Sequence, residues 1–221
     1  MPTLLIADDH PLFRAALRAA ATDAAADVAT CEADTLNGVL ALLESRHDID
    51  LVLLDLHMPG NHGLAGLAAI RAQFPAVAVV LVSANEDPTT VRRALDHGAA
   101  GYIPKSAGLD ELREAIRTVL ACEHWLPPAL RGAVTRTRSA PADAELAARL
   151  ASLTPQQFRV LTLVAQGLLN KQIGDQLQIQ ERTVKAHLSV IFEKLGARNR
   201  TQASVILREL EIGDPSQRVA G

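Results

Sequence analysis

Aromatic residues are scarce in this chain: four Phe, one Tyr and one Trp make up 3% of its 221 residues. So few rings argue against an aromatic cage or a carbohydrate-binding surface. Cysteine is nearly absent. Cys31 and Cys122 alone do not make a disulfide framework, and no secretory signal precedes them. Long apolar runs are missing too, since Leu51–Leu54 is far too short to span a bilayer. These absences lead us to expect a cytoplasmic protein with reduced thiols and no membrane partner.

What is present is aliphatic. Hydrophobic residues make up 48% and charged residues 21%, which is a globular composition and not a disordered one. The length allows one or two domains and a sizeable core. The overall charge of −3 hides an asymmetry. Residues 1–123 carry a net −8, residues 124–148 a net +1 and residues 149–221 a net +4. Opposed charges suggest two modules with different partners, the basic one a nucleic-acid candidate. Residues 127–142, PPALRGAVTRTRSAPA, have no apolar period and read as a linker. The expected division is a module over 1–123, a linker over 124–148, a second module over 149–215 and a tail over 216–221. A short helix is expected over Asp143–Leu150, leading into the second module.

In the first module, aliphatic runs at Leu4–Ala7, Val28–Cys31, Leu51–Leu54, Val77–Val82 and Gly101–Ile103 alternate with helix-like segments. That pattern predicts a parallel sheet covered on both faces. Such sheets place their sites beyond the carboxyl ends of the strands. Asp8 and Asp9, Asp55, Ser83 and Lys105 fall just after or at four of those ends. Clustered carboxylates repel one another and need a cation, and oxygen ligands suit Mg²⁺. An Asp carboxylate can be a nucleophile towards phosphorus, with a lysine and a hydroxyl holding the phosphoryl oxygens. Each residue alone has a plainer reading. Asp9 or His10 would serve equally to start the helix that Pro11 opens. His57 and His62 with one Asp would be ligands enough for a transition metal, but a solvent-facing His near a loop needs none.

The segments LLIADDHPLFR, LVLLDLHMPGNHGL, VVLVSAN and GAAGYIPKS resemble a two-component receiver domain over residues 1–122. The resemblance implies a flavodoxin-like α/β fold of strand order 2-1-3-4-5. It implies phosphorylation of Asp55 by a sensor histidine kinase or a small phosphodonor. Asp9, Asp55 and the backbone carbonyl of His57 would hold Mg²⁺, with Asp8 acting through water. Ser83 and Lys105 would stabilise the phosphoryl group, and Tyr102 would repack when Ser83 moves. Asn61-His62 departs from the common pattern.

Residues 149–212 show no strand alternation. Thr154-Pro155 is a helix start and Gly167 a helix stop. Asn170 is expected to cap a second helix, Glu181 to open a third and Thr201 a fourth. Four short helices with positive charge suggest a helix-turn-helix unit, with a helical bundle for protein contact as the lesser alternative. In a helix-turn-helix unit, Arg182, Lys185, Ala186 and Ser189 face the bases, and Thr183, His187, Lys194, Arg198, Asn199 and Arg200 the phosphates. LTPQQFRVLTLVAQGLLNKQIGDQLQIQERTVKAHLSVIFEKLGARNRTQA closely resembles the LuxR-type DNA-binding domain. That resemblance makes Lys185, Ala186 and Ser189 base contacts and Lys171 a backbone contact. Gln178 stands where a glycine is usual in the turn, and Gln180 where a Ser cap is usual.

Together the modules resemble NarL/FixJ-type response regulators. The expected function is a phosphorylation-controlled transcription regulator, homodimeric when phosphorylated, on an inverted repeat of double-stranded DNA. It would not be an enzyme beyond acting on its own phosphoryl group. Two alternatives are a constitutive DNA-binding regulator with a docking receiver, and an Mg²⁺-dependent phosphatase using Asp55. The latter pattern wants a second Asp where His57 stands.

Overall fold

The computed structural model describes the chain except residues 26, 62, 138–140, 209 and 211–221. His62 and the expected 216–221 tail lie outside the described residues, as does the expected end of the second module at 215.

Five strands form the N-terminal sheet: β1 (Thr3–Ala7), β2 (Ala29–Ala33), β3 (Leu51–Asp55), β4 (Ala78–Ser83) and β5 (Gly101–Pro104). They pair in parallel in the order β2-β1-β3-β4-β5. Between and after them run α1 (Pro11–Ala24), α2 (Leu36–Ser45), α3 (Ala65–Gln73), α4 (Pro88–Asp96) and α5 (Leu109–Leu120). The continuous apolar strands are explained by burial on both faces. Leu4, Ile6, Leu53, Val80 and Val82 point to the side covered by α1 and α5, where Leu17, Leu112 and Ile116 meet them. Leu5, Val52, Leu54 and Leu81 point to the side of α2, α3 and α4. Each such buried Leu or Ile contributes on the order of 2 kcal/mol of transfer free energy.

Local signals set the helix starts. Thr35 caps α2 by accepting from the Gly38 amide, and Asp87 caps α4 by accepting from Thr90. Pro11 and Pro88 stand in first turns, where no backbone donor is lost. His10 makes no side-chain cap bond to α1, so the capping reading does not account for it.

The stretch expected to be a linker is more ordered than its composition suggests. Trp125 forms a parallel bridge with Gly101, donating to Ala100 and accepting from the Tyr102 amide. A Cβ on Gly101 would stand 2.9 Å from the Trp125 carbonyl oxygen, so only glycine permits this approach. Two helices follow, α6 (Pro128–Arg136) and α7 (Pro141–Ala151). Proline stands in the first turn of α6 and Val134 is buried. Proline-rich composition concealed α6, which opens on Pro128. The short helix expected over Asp143–Leu150 is α7.

The C-terminal module is α8 (Pro155–Ala165), α9 (Asn170–Leu177), α10 (Glu181–Leu195) and α11 (Arg200–Arg208). Phe158, Leu161, Val164, Ile173, Val184, Leu188, Ile191, Leu195 and Ala203 form its core. That core is continuous with the apolar side of the sheet covered by α2–α4. α7 packs on α3 and α4, α6 on α4, and α8 on α3. Arg159 of α8 pairs with Glu44 of α2, and Arg93 Nε lies 3.2 Å from Asp143 Oδ1 of α7. The amide of Leu64 donates to the carbonyl of Leu210 at 2.9 Å.

Candidate functional site

The acidic residues converge because β1 and β3 are adjacent and end level, with Ala7 beside Leu54. Asp8 and Asp55 are fully buried, at 0% and 1% exposure. Lys105, just past β5, extends its ammonium between them, 2.8 Å from Asp8 Oδ2 and 2.9 Å from Asp55 Oδ2. The same ammonium lies 5.2 Å from the centre of the Phe13 ring. Burial raises the Asp55 pKa, and the neighbouring Asp8 charge raises it further, against the pull of Lys105. Burial works against the Lys105 ammonium, but its bonds to Asp8 and Asp55 outweigh this and hold its pKa high.

Two backbone amides aim at the carboxylates: His10 N donates to Asp8 Oδ1 at 2.7 Å and His57 N to Asp55 Oδ1 at 3.2 Å. Arg14 fixes the Asp8 carbonyl at 2.6 Å. Asp8, Asp9, His10 and Asp55 present ligand atoms that all lie within 4.8 Å of one another. Asp9 Oδ1 is buried and lies 2.7 Å from His10 Nδ1 without the alignment of a hydrogen bond. Three carboxylates with one poorly served buried oxygen fit a hard cation with oxygen ligands. The imidazole in this cluster is His10, whose place before Pro11 in the sequence points only to a helix start. His57 contributes its amide to Asp55.

Ser83 ends β4 and is fully buried, its hydroxyl oxygen accepting from Asn85 N at 3.1 Å. The Tyr102 ring is buried beside it, and its hydroxyl donates to the Asn85 carbonyl. Burial pushes the Tyr102 pKa up to about 12. Ser83 and Tyr102 are thus joined through one loop residue. Asn61, noted in the sequence only as a departure, is 4% exposed and staples the loop after Asp55. Its Nδ2 donates to the Asp55 carbonyl at 2.7 Å, and its Oδ1 accepts from Gly66 N at 2.8 Å.

In the helical module, Thr154 caps α8 in a capping box with Gln157. Asn170 does not cap α9. It is the first helical residue, and its Oδ1 accepts from Arg200. The turn between α9 and α10 is made at Gln178, with φ +54° in the left-handed region. Gly174 is required there, since a Cβ would meet the Ile179 carbonyl oxygen at 2.7 Å. Gln180 makes no side-chain cap to α10.

α10 buries Val184, Leu188, Ile191 and Leu195. Arg182, Lys185, Ala186 and Ser189 are exposed, Thr183 and His187 partly so. Lys171, Arg198 and Asn199 are exposed as well. Lys194 and Arg200 differ. Lys194 Nζ is bonded to the Ser152 carbonyl at 2.6 Å and to Gln157 at 2.9 Å. The Arg200 guanidinium donates to the Leu168 carbonyl and to Asn170. Both cations tie helices together, an occupation that charge and position in the sequence did not reveal. Asn199 accepts from Gln202 N at 2.9 Å and starts α11 one residue before the expected Thr201.

A parallel sheet of this order with a buried acid cluster at its carboxyl edge, joined to a four-helix module with a basic exposed helix, defines a phosphoryl-responsive DNA-binding class. The family described as response regulator receiver domain matches residues 4–117. The LuxR family of bacterial regulatory proteins matches residues 151–220. The glycerol metabolism activator of Pseudomonas putida is 42% identical over 209 residues, covering 92% of this chain and 93% of that one. The nitrate/nitrite response regulator NarL of Escherichia coli K12 is 33% identical over 213 residues, covering 95% and 96%. Among solved structures, RcsB of Salmonella typhimurium shares the fold with a TM-score of 0.58 at 21% identity, covering 94% of this chain and 99% of that one. A LuxR-family DNA-binding response regulator from Silicibacter pomeroyi gives a TM-score of 0.52 at 34% identity, covering 58% of this chain and 99% of that one. The chain belongs to the NarL/LuxR-type response regulators, which are phosphorylation-controlled DNA-binding transcription regulators. Among the described residues no helix is long and apolar enough to cross a membrane.

Proposed function

We propose that Asp55 is the phosphoacceptor and that its phosphorylation controls how two copies of the chain engage an inverted DNA repeat. The observation that carries this reading is the buried Asp55 carboxylate, held by Lys105 beside Asp8 with its pKa raised. An Asp55 oxygen bonds to phosphorus as the donor's P–N bond to a kinase histidine breaks, or the P–O bond of a small acyl phosphate. Lys105 follows the phosphoryl oxygens, and Ser83 turns from the Asn85 amide towards them, which lets Tyr102 repack. Asp9, Asp55 and the His57 carbonyl would hold Mg²⁺, with Asp8 acting through water. When bound, that ion offsets the carboxylate charge and the charge on the phosphoryl oxygens. The receiver catalyses only the making and breaking of its own acyl phosphate.

Lys185, Ala186 and Ser189 read bases, with Arg182 beside them. Lys171, Thr183, His187 and Arg198 meet phosphates. Asn199, as the cap of α11, presents a helix N-terminus to the same backbone. DNA as the target places this work in the cytoplasm. Sedimentation of the full chain with Mg²⁺, with and without beryllofluoride, tests the switch against Asp55→Asn. A dimer formed only by the wild type with beryllofluoride is expected. An unchanged oligomer in both chains would contradict the reading.

A further inference from the structure

We infer that the unphosphorylated monomer already binds one half-site of its DNA, the reading face of α10 being open in the resting chain. The inference rests on the proposed DNA role of α10 and adds what the receiver does and does not control. Among the described residues, the main contacts between the modules come from other helices. α7 lies on α3 and α4, and α8 lies on α3. Glu44 is held by Arg159, and Asp143 lies at Arg93. Leu64 N ties the loop that follows Asp55 to Leu210, beyond the end of α11. The cleft between α2 and α8, lined by Leu40 and Phe158, reaches α9 at Gln176 and Leu177.

α10 instead packs on α7, α8, α9 and α11 through its buried stripe. Its opposite face, Arg182, Lys185, Ala186 and Ser189, is exposed together with Lys171 and Arg198. The acidic group closest to this face in sequence is Glu181, whose pair with Lys185 at 2.9 Å is exposed on both sides. Such a pair opens at little cost when a phosphate competes for the lysine. The acidic receiver therefore does not mask the basic helix. It holds the module mainly through α7 and α8. Phosphorylation is left to govern pairing, since a second linked module raises local concentration and avidity without any new base contact.

The test uses the full chain and two duplexes. An inverted repeat is selected from random DNA with beryllofluoride-activated protein, and one half of it is placed in a short duplex. Fluorescence anisotropy is read at one salt concentration, because affinity is strongly salt-dependent. Half-site affinity is expected to agree within about twofold between resting wild type, activated wild type and Asp55→Asn, while the full repeat tightens on activation by about a hundredfold. Glu44→Ala, which loosens the contact without changing the charge of the reading module, is expected to leave half-site affinity unchanged. A gain of fivefold or more on the half-site, from beryllofluoride or from Glu44→Ala, would show a masked helix and overturn the inference. Absence of half-site binding in every form would overturn it too. If beryllofluoride changes neither duplex while the half-site binds, the phosphoswitch fails and the open reading face stands.

Discussion

Lys105 Nζ stands almost equidistant from two buried carboxylates, 2.8 Å from Asp8 and 2.9 Å from Asp55. One cation therefore serves two anions that have almost no access to water. Lys105→Met leaves both without a counter-charge, and removing one partner of a buried pair costs about 3 kcal/mol. Urea unfolding at neutral pH without metal is expected to show that loss. Adding Mg²⁺ is expected to restore more stability to the variant than it adds to the wild type, because it binds the native cluster alone. Equal Mg²⁺ stabilisation in both chains would contradict this account of the pocket.

The α9–α10 turn carries a glutamine in the left-handed region, Gln178 at φ +54°. A non-glycine residue is disfavoured there. Gln178→Gly removes the strain at some cost in unfolded-state entropy, and a net gain of about 0.5 kcal/mol is expected. Denaturant unfolding that shows a loss would mean the Gln178 side chain holds the turn.

The exposed and the engaged lysines separate cleanly by experiment. Lys171→Ala is expected to weaken all sequences alike and to reduce the salt slope by about 0.9. Lys185→Ala is expected to lose about 1–3 kcal/mol of discrimination at one base position. Lys194→Met is expected to lower stability by about 1–2 kcal/mol, for its bonds to Ser152 and Gln157, with the salt slope unchanged. A reduced slope for Lys194→Met would return that lysine to the DNA interface.

His97, after α4, is buried, and neither ring nitrogen has a hydrogen-bond partner among the described residues. Burial lowers its pKa below 6.5, and Arg93 lowers it further, against the pull of Asp143 and Asp96. A lowered pKa means the native state prefers the neutral ring. Its contribution to stability is full above pH 6.5, falls as pH drops through that value, and levels off below the lower native pKa. Unfolding free energies between pH 8 and pH 5 are expected to show this fall, with a shallower slope in His97→Gln. Equal slopes would place the ionisation elsewhere.

Much of this was legible in the residues. Period and turn chemistry placed the strands and most helix starts, and the acid cluster could be read because parallel strands bring their ends to one edge. Other features depend on contacts between distant segments, which leave no local period. α6 is short, and proline masks it until α4 supplies the surface it buries against. Nothing local in the sequence announces that Lys194 and Arg200 bond to the carbonyls of Ser152 and Leu168. Asn61 reads as an ordinary loop residue, and only the folded loop shows its amide spanning Asp55 and Gly66. Among the described residues, α8 and α2 are joined by the Arg159–Glu44 pair, which neither module's own pattern shows.

A phosphoryl group on Asp55 is expected to set DNA affinity. The most direct measurement titrates the selected inverted repeat with full chain treated with acetyl phosphate and Mg²⁺, while intact mass spectrometry gives the phosphorylated fraction. Affinity is expected to rise in step with a single added phosphoryl group in the wild type and to stay at the resting value in Asp55→Asn. A wild type that gains the phosphoryl group with no change in affinity, or an Asp55→Asn chain that responds equally, would contradict the account.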